Sequence, residues 1–316
     1  MGKIKVTEIA KPFIKWAGGK GQLLNQLDDF LPTRIFSEDF IYIEPFVGGG
    51  AMLFHMLKRF SNLKKVIIND VNDNLVKAYL TIKENPNALI DNLRLLEKDF
   101  LSINTDEERK SKYLENREKF NKHNGNDIEN TAYLIFLNKT CFNGLYRENS
   151  KGAFNVPFGK YKNPQICNVN TILADSMALN SREIVITHVD YSETKKFISH
   201  DDLTFFYFDP PYRPLSATSS FTSYTKGDFN DSDQQRLAEF CKEISSDNCL
   251  WMLSNSDCSA KNPEDRFFED LYNDFSINRV YASRSINSNP SKRGKLTELL
   301  IHNNYEISKR VLFEAV

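Results

Sequence analysis

The sequence is short of the residues that build a metal centre or a covalent framework. Its five cysteines, Cys141, Cys167, Cys241, Cys249 and Cys258, are odd in number and include no Cys-x-x-Cys pair, so neither a disulfide scaffold nor a zinc site is indicated. The five histidines fall in no ligand spacing, and no catalytic metal is expected. No apolar run approaches membrane-spanning length, and Met1-Gly2-Lys3-Ile4-Lys5 leads into no apolar signal core. A cytoplasmic location is therefore the default expectation. Charge of one sign is not in excess either: 41 Lys+Arg against 42 Asp+Glu leave a net −1, which argues against an all-over polyanion binder. No repeat or low-complexity segment is evident.

What is present suffices for a globular enzyme. The 316 residues are 41% hydrophobic and 12% aromatic, enough for a sizeable core in one large or two moderate domains. The even charge balance also hides two basic stretches. Residues 139–162 carry Lys139, Arg147, Lys151, Lys160 and Lys162 against one acid, Glu148, with Phe142, Tyr146, Phe154, Phe158 and Tyr161 interleaved. Residues 284–295 carry Arg284, Lys292, Arg293 and Lys295 with no acid. Taken singly, each is equally readable as a solvated loop.

The sharpest local pattern is Tyr207-Phe208-Asp209-Pro210-Pro211-Tyr212. Residues 203–208 are almost wholly apolar, as in a strand covered on both faces of a parallel sheet. Two prolines stop it and hold the following backbone extended. Ligands bind at the carboxyl ends of strands in such sheets, and this end offers a carboxylate, an acceptor carbonyl and a flat ring. Asp209 and the Pro210 carbonyl suit the two N–H groups of an exocyclic amine, with Tyr212 stacked on the base that bears it. An ordinary strand-ending turn is the plain alternative.

Upstream, Trp16-Ala17-Gly18-Gly19-Lys20 enters a helical stripe of Leu23, Leu24, Leu27 and Leu31 closed by Pro32. A strand at Phe40-Ile41-Tyr42-Ile43 runs into Glu44-Pro45-Phe46-Val47-Gly48-Gly49-Gly50 and then a helix, a glycine turn of the nucleotide-binding type. The next strand ends in Asn69-Asp70, placing an acid where ribose hydroxyls are held, although a helix cap is the other reading of Asp70. Residues 76–130 turn to charged amphipathic helices and read as an insertion. Residues 131–137 are a buried helix or strand, 168–179 a helix, and 183–191 a strand ending in Asp190-Tyr191, a third acid at a sheet end. A Ser/Thr-rich loop at 216–226 suggests a lid. Asp231 or Ser232 then caps a helix to Ile244, followed by a strand at 250–253, a helix at 267–275 and a last strand at 296–303.

These motifs in this order resemble the DNA adenine-N6 methyltransferase (Dam) family that modifies GATC, of the α class. The carriers are residues 13–20, 44–49, Asn143-Gly144-Leu145-Tyr146-Arg147, residues 154–161, Asp209-Pro210-Pro211-Tyr212 with Pro214-Leu215-Ser216-Ala217-Thr218, and Arg284-Ser285-Ile286. The resemblance implies a doubly wound, Rossmann-like α/β sheet that binds S-adenosyl-L-methionine, formed by residues 1–75 and 168–316. A mostly helical target-recognition domain, residues 76–167, would be inserted in it. It implies catalysis by Asp209, Pro210, Pro211 and Tyr212 on a flipped adenine, and a cofactor site of Trp16, Lys20, Glu44, Phe46, Gly48, Asp70, Asp190, Tyr191 and Asp209. Contacts to double-stranded DNA containing GATC would come from Lys15, Asn143, Leu145, Arg147, Pro157, Tyr161 and Arg284. Arg147 would read a guanine, and Lys139, Lys151, Lys160 and Lys162 would meet phosphates. A cognate restriction endonuclease sharing the site is compatible with this. The chain departs from better-known relatives at Phe142, Tyr146, Glu148, Gly50 and around residues 123–130. A glutamine-side-chain methyltransferase of the same fold would carry Asn at 209 and lack the basic insert, and a non-catalytic DNA-binding module would not need all five of Trp16, Lys20, Asp70, Asp209 and Tyr212. A nicotinamide oxidoreductase would show a true Gly-x-Gly-x-x-Gly after Ile43.

Overall fold

In the computed structural model, which describes residues 9–199, 201–214, 229–282 and 296–308, the apolar runs become strands of one sheet. They are β1 Phe40–Glu44, β2 Leu63–Asn69, β3 Glu183–Thr187, β4 Leu203–Phe208, β5 Cys249–Ser256, β6 Ser276–Ala282 and β7 Leu296–His302, in the order β3-β2-β1-β4-β5-β7-β6. Strands β3, β2, β1, β4 and β5 are parallel neighbours, and β7 runs antiparallel between β5 and β6.

The uniform hydrophobicity of β4 has the expected cause. Phe205 and Tyr207 bury into one core with Tyr42, Val66 and Met252, while Phe206 and Phe208 bury into the other with Ile43, Ile67 and Trp251. Both faces are thus covered, and side chains alternate between them. Helix α1 is Leu24–Asp28. Helices α2 (Ala51–Arg59) and α3 (Asp73–Glu84) cover the first face. The second is covered by a helix at Asp231–Ile244 and a short one at Phe267–Leu271.

Between β2 and β3 every named element is helical: α3, then α4 Pro86–Leu101, α5 Asp106–Asn121, α6 Asp127–Thr140 and α7 Val169–Leu179, besides a single turn at Phe142–Gly144. Their starts follow from local chemistry. Pro86 sits at the head of α4, Thr105 accepts from Glu108 N–H, and Asn126 with Glu129 forms a capping box. Residues 131–137 are therefore helix, and residue 76 lies inside α3, which packs on β3, α6 and α7. The interior of α4, α5 and α6 is continuous with the first sheet face.

The last two helices of the described chain are α8 (Asp231–Ile244) and α9 (Phe267–Leu271). Asn230, rather than Asp231 or Ser232, caps α8 through a capping box with Asp233. Strand β3 stops at Thr187, because Asp190 turns the chain by capping a 3-10 segment, Tyr191–Phe197. Helix α9 stops at Leu271, and the unanticipated strand β6 follows it. The expected lid at 216–226 lies outside the described residues.

Candidate active site

Strands β1 and β4 are adjacent, and the helices that follow them, α2 and α8, lie on opposite faces of the sheet. Their carboxyl ends therefore border the crevice where open α/β sheets bind ligands. Asp209 to Tyr212 leave β4 there on a backbone held from below. The buried Gln234 Nε2 donates to the Pro211 carbonyl at 3.0 Å, and Asn255 Nδ2 donates to Gln234 Oε1 at 3.1 Å. Asn255 Oδ1 accepts from Arg213 N–H at 3.3 Å, and Ser256 Oγ donates to the Arg213 carbonyl at 2.7 Å. The Arg213 guanidinium pairs with Asp231 and Asp265 and lies 4.5 Å over Phe267. Gln234→Leu is expected to destabilise the fold by about 1–3 kcal/mol, the cost of stranding a partly buried carbonyl. Urea denaturation measures this, and an unchanged midpoint would mean the turn does not depend on the bond.

Lys20 is 3% exposed and points its ammonium into this corner. Its Nζ lies 2.8 Å from Asp209 Oδ1 and 3.7 Å from Glu298 Oε2, donates to the Gly18 carbonyl at 3.0 Å, and sits 4.3 Å over the Tyr212 ring. Tyr212 Oη donates to Glu298 Oε2 at 2.8 Å. Burial pushes the Asp209 carboxyl above the usual range; the Lys20 ammonium pulls it back and the Glu298 charge adds to the rise. Glu298 was not singled out from sequence. Its only local signal is an acid inside the apolar run of β7, placed opposite Ser256 by strand pairing.

The glycine turn has a different physical reason from the one its sequence suggests. A Cβ on Gly48 would sit 2.9 Å from Trp16 Cδ1, and one on Gly50 would sit 2.4 Å from Tyr79 Oη, which itself donates to the Gly48 carbonyl. Both residues also need positive φ, +49° and +77°. The glycines thus make room for a tryptophan and a tyrosine. Asp70 fixes the same turn, accepting from Gly48 N–H at 3.0 Å and Asn72 N–H at 2.9 Å, while Asn72 caps α3.

Buried Glu44 accepts from Tyr42 Oη at 2.8 Å. Burial raises its carboxyl well above the usual range, and the charges of Asp209 and Asp70 raise it further against the Tyr42 bond. Burial raises Asp70 as well, against its backbone bonds. Burial thus disfavours the charged forms of Glu44 and Asp70 at the ends of β1 and β2, while Asp209 at the end of β4 already has the Lys20 ammonium as its counter-charge. Phe46, Tyr191 and Phe229 supply an aromatic wall, with Phe46 5.3 Å and Phe229 6.4 Å from Tyr191. Asp190 is committed elsewhere, to both guanidinium N–H groups of Arg236 at 3.1 and 3.0 Å and to Ser192. Burial works against its ionisation, but those bonds outweigh it and lower its carboxyl.

The described members of the expected DNA-contacting set gather on one loop cluster. Buried Asn138 accepts from Lys15 N–H at 2.9 Å and donates to the Lys15 and Gly144 carbonyls at 2.8 and 3.0 Å, which ties the Trp16 segment to the Asn143-Gly144 turn. Trp16 stacks on Tyr146 at 4.9 Å. Phe142 N–H donates to the Pro157 carbonyl, Cys141 Sγ donates to the Leu145 carbonyl, and Arg109 holds the Tyr161 and Lys162 carbonyls. Pro157 and Tyr161 are exposed, and so is Arg147, whose Nε donates to Asn155 Oδ1 at 2.7 Å. Half-exposed Phe142 shares this edge. Lys139 differs from the other lysines of the stretch: it is half-buried, and burial, then the Lys11 charge, lower its ammonium while Asp175 opposes. Arg284 lies outside the described residues.

A doubly wound sheet with β7 reversed beside β5, a glycine turn after β1, an acid after β2 and Asp-Pro-Pro-Tyr after β4 defines a Rossmann-like methyltransferase that uses S-adenosylmethionine. A family model described as D12 class N6 adenine-specific DNA methyltransferase matches residues 16–286. The chain is 46% identical over 297 residues to the Type II methyltransferase M.MjaIII of Methanocaldococcus jannaschii, covering 93% of this chain and 99% of that protein. It is 38% identical to the Type II methyltransferase M1.LlaDCHI of Lactococcus lactis subsp. cremoris (93% and 95% covered) and 31% identical to the DNA adenine methylase of Haemophilus influenzae (92% of each). The chain belongs to the D12 class N6 adenine-specific DNA methyltransferases. DNA is its substrate and S-adenosylmethionine its methyl donor. Among the described residues, no helix is long and apolar enough to cross a membrane.

Proposed function

We propose that this enzyme methylates the adenine of GATC in duplex DNA after flipping that base out of the helix, with residues 76–167 serving as the target-recognition region of a catalytic domain made from residues 1–75 and 168–316. The observation that carries the reading is the Lys20 ammonium. It sits against Asp209 and over the Tyr212 ring, the place an exocyclic amino group would take if its base lay on that ring. Lys20 must therefore withdraw from Asp209 as the base enters. A corner this enclosed is out of reach of a base stacked in a duplex, so extrusion of the adenine follows.

Trp16, Lys20, Glu44, Phe46, Gly48, Asp70, Tyr191 and Asp209 would hold S-adenosylmethionine, and the acids at the ends of β1, β2 and β4 suit its sulfonium and ammonium charges. Asp190 contributes by clamping Arg236 over the Tyr191 ring, 4.6 Å away. Bound there, S-adenosylmethionine supplies an electrophilic methyl group. Asp209 and the Pro210 carbonyl would orient the adenine amino group and Tyr212 would fix the plane of the base. The amino nitrogen would gain the methyl as the carbon–sulfur bond breaks to leave a neutral thioether, and would then shed one proton to solvent. Asp209 then stands beside the charge that develops on the nitrogen. Specificity rests on Lys15, Asn143, Leu145, Arg147, Pro157 and Tyr161, with Arg284 assigned by resemblance alone, and a cognate restriction endonuclease sharing the site belongs to the same reading.

The test is to incubate unmethylated plasmid with the protein and S-adenosylmethionine and to map N6-methyladenine by sequencing. Methylation at the adenine of GATC on both strands is expected. A different consensus would overturn the site assignment while leaving the activity intact.

A further inference from the structure

The Tyr212 hydroxyl is the far end of the ring assigned above to base stacking, and it donates to the Glu298 carboxylate at 2.8 Å, with the Asp209 carboxyl also among its hydrogen-bond partners. Glu298 is itself firmly placed. Strand pairing sets it opposite Ser256, and its neighbour Thr297 donates to the fully buried Asp257 at 2.7 Å, which Arg279 also holds at 2.9 Å. A tyrosine that follows two prolines has its Cα fixed, but its side chain can still swing about χ1 unless the hydroxyl at its far end is anchored.

We propose that Glu298 is a positioning residue of the methyl-transfer reaction, anchoring the Tyr212 hydroxyl and so holding the ring on which the target adenine stacks beside Asp209. This rests on the stacking role proposed for Tyr212. Glu298 touches no reacting atom and acts through the ring.

The experiment compares Glu298→Ala, Glu298→Gln, Tyr212→Phe and the Tyr212→Phe/Glu298→Ala double variant, with Tyr212→Ala as reference. The readouts are kcat at saturating S-adenosylmethionine and DNA, S-adenosylmethionine affinity, and the fluorescence of 2-aminopurine placed at the target position. Loss of one charge-assisted hydrogen bond should lower kcat about tenfold in Glu298→Ala and in Tyr212→Phe alike. Glu298→Gln, which keeps an accepting oxygen, should stay within about threefold of the parent. Cofactor affinity should not change, which also reports that the variants are folded. The double variant should be no slower than either single one, because both remove the same bond. Losses that multiply to about a hundredfold in the double variant would show Glu298 acting independently of the hydroxyl and overturn the proposal. A Gln variant as slow as the Ala variant would likewise overturn it, assigning the effect to the charge beside Lys20. If Tyr212→Ala leaves the 2-aminopurine signal of the parent, the stacking role itself fails. If only Tyr212→Ala changes that signal and kcat, stacking stands and the Glu298 anchor falls.

Discussion

Asp209→Ala is expected to lower the rate of methyl transfer about a thousandfold, measured by single-turnover incorporation of labelled methyl into DNA. The carboxylate is the one acid at the carboxyl end of β4, and it faces the place above Tyr212 that Lys20 occupies at 2.8 Å. Without it the amino group keeps only the Pro210 carbonyl as an acceptor. Displacement of a reacting atom by about 1 Å can cost ~10²-fold, and loss of the nearby negative charge adds to that. Asp209→Asn keeps one acceptor oxygen and should fall in between. Affinity for S-adenosylmethionine should drop modestly in the Ala variant, since the acid cluster of Glu44, Asp70 and Asp209 then loses one member. Near-normal turnover in Asp209→Ala would sink the assignment of this corner as the reaction centre.

The second large effect is on specificity. Arg147→Ala should relax recognition at one guanine position, with a loss of discrimination of about 1–3 kcal/mol, the worth of a bidentate Arg–guanine pair. The structure adds a reason. Asn155 Oδ1 takes the Nε–H of Arg147, and among the described residues nothing else bonds the exposed guanidinium, whose two terminal nitrogens form a fork of the spacing that guanine O6 and N7 accept. Exposed Lys151, Lys160 and Lys162 should behave differently. As phosphate contacts, each lost residue should weaken all sequences alike and reduce the salt dependence by roughly one unit of slope. Lys139 drops out of that set, because its amine is half-buried beside Asp175 and Lys11. Methylation of GATC against sites altered at the guanine, measured at several salt concentrations, separates the two kinds of variant. A uniform loss on every site in Arg147→Ala would make that residue a phosphate clamp.

The sequence alone determined what depends on neighbours along the chain. An unbroken apolar run and the two prolines marked β4 and its end, the glycines marked the turn after β1, and the spacing to Asp70 marked the end of β2. Helical periodicity marked residues 76–130 and 168–179, whereas the apolar run 131–137 stayed open between helix and strand until packing showed it to be helix. Capping was legible only to within a residue, since Asn230, Asp231 and Ser232 are all good caps and only the backbone decides among them. Partners distant in the chain were decided by the tertiary structure. Strand β6, with Asn278 and Arg279 at its centre, shows no apolar alternation, and the reversal of β7 beside β5 has no local signature. That reversal is what brings Glu298 to Tyr212, 86 residues away, and to the ammonium of Lys20. It also took packing to turn the glycines into space for Trp16 and Tyr79, and to commit Asp190 to Arg236. Periodicity reports which face of an element is buried, whereas the partner met on that face depends on strand order and register, which are settled by the packing of the whole sheet.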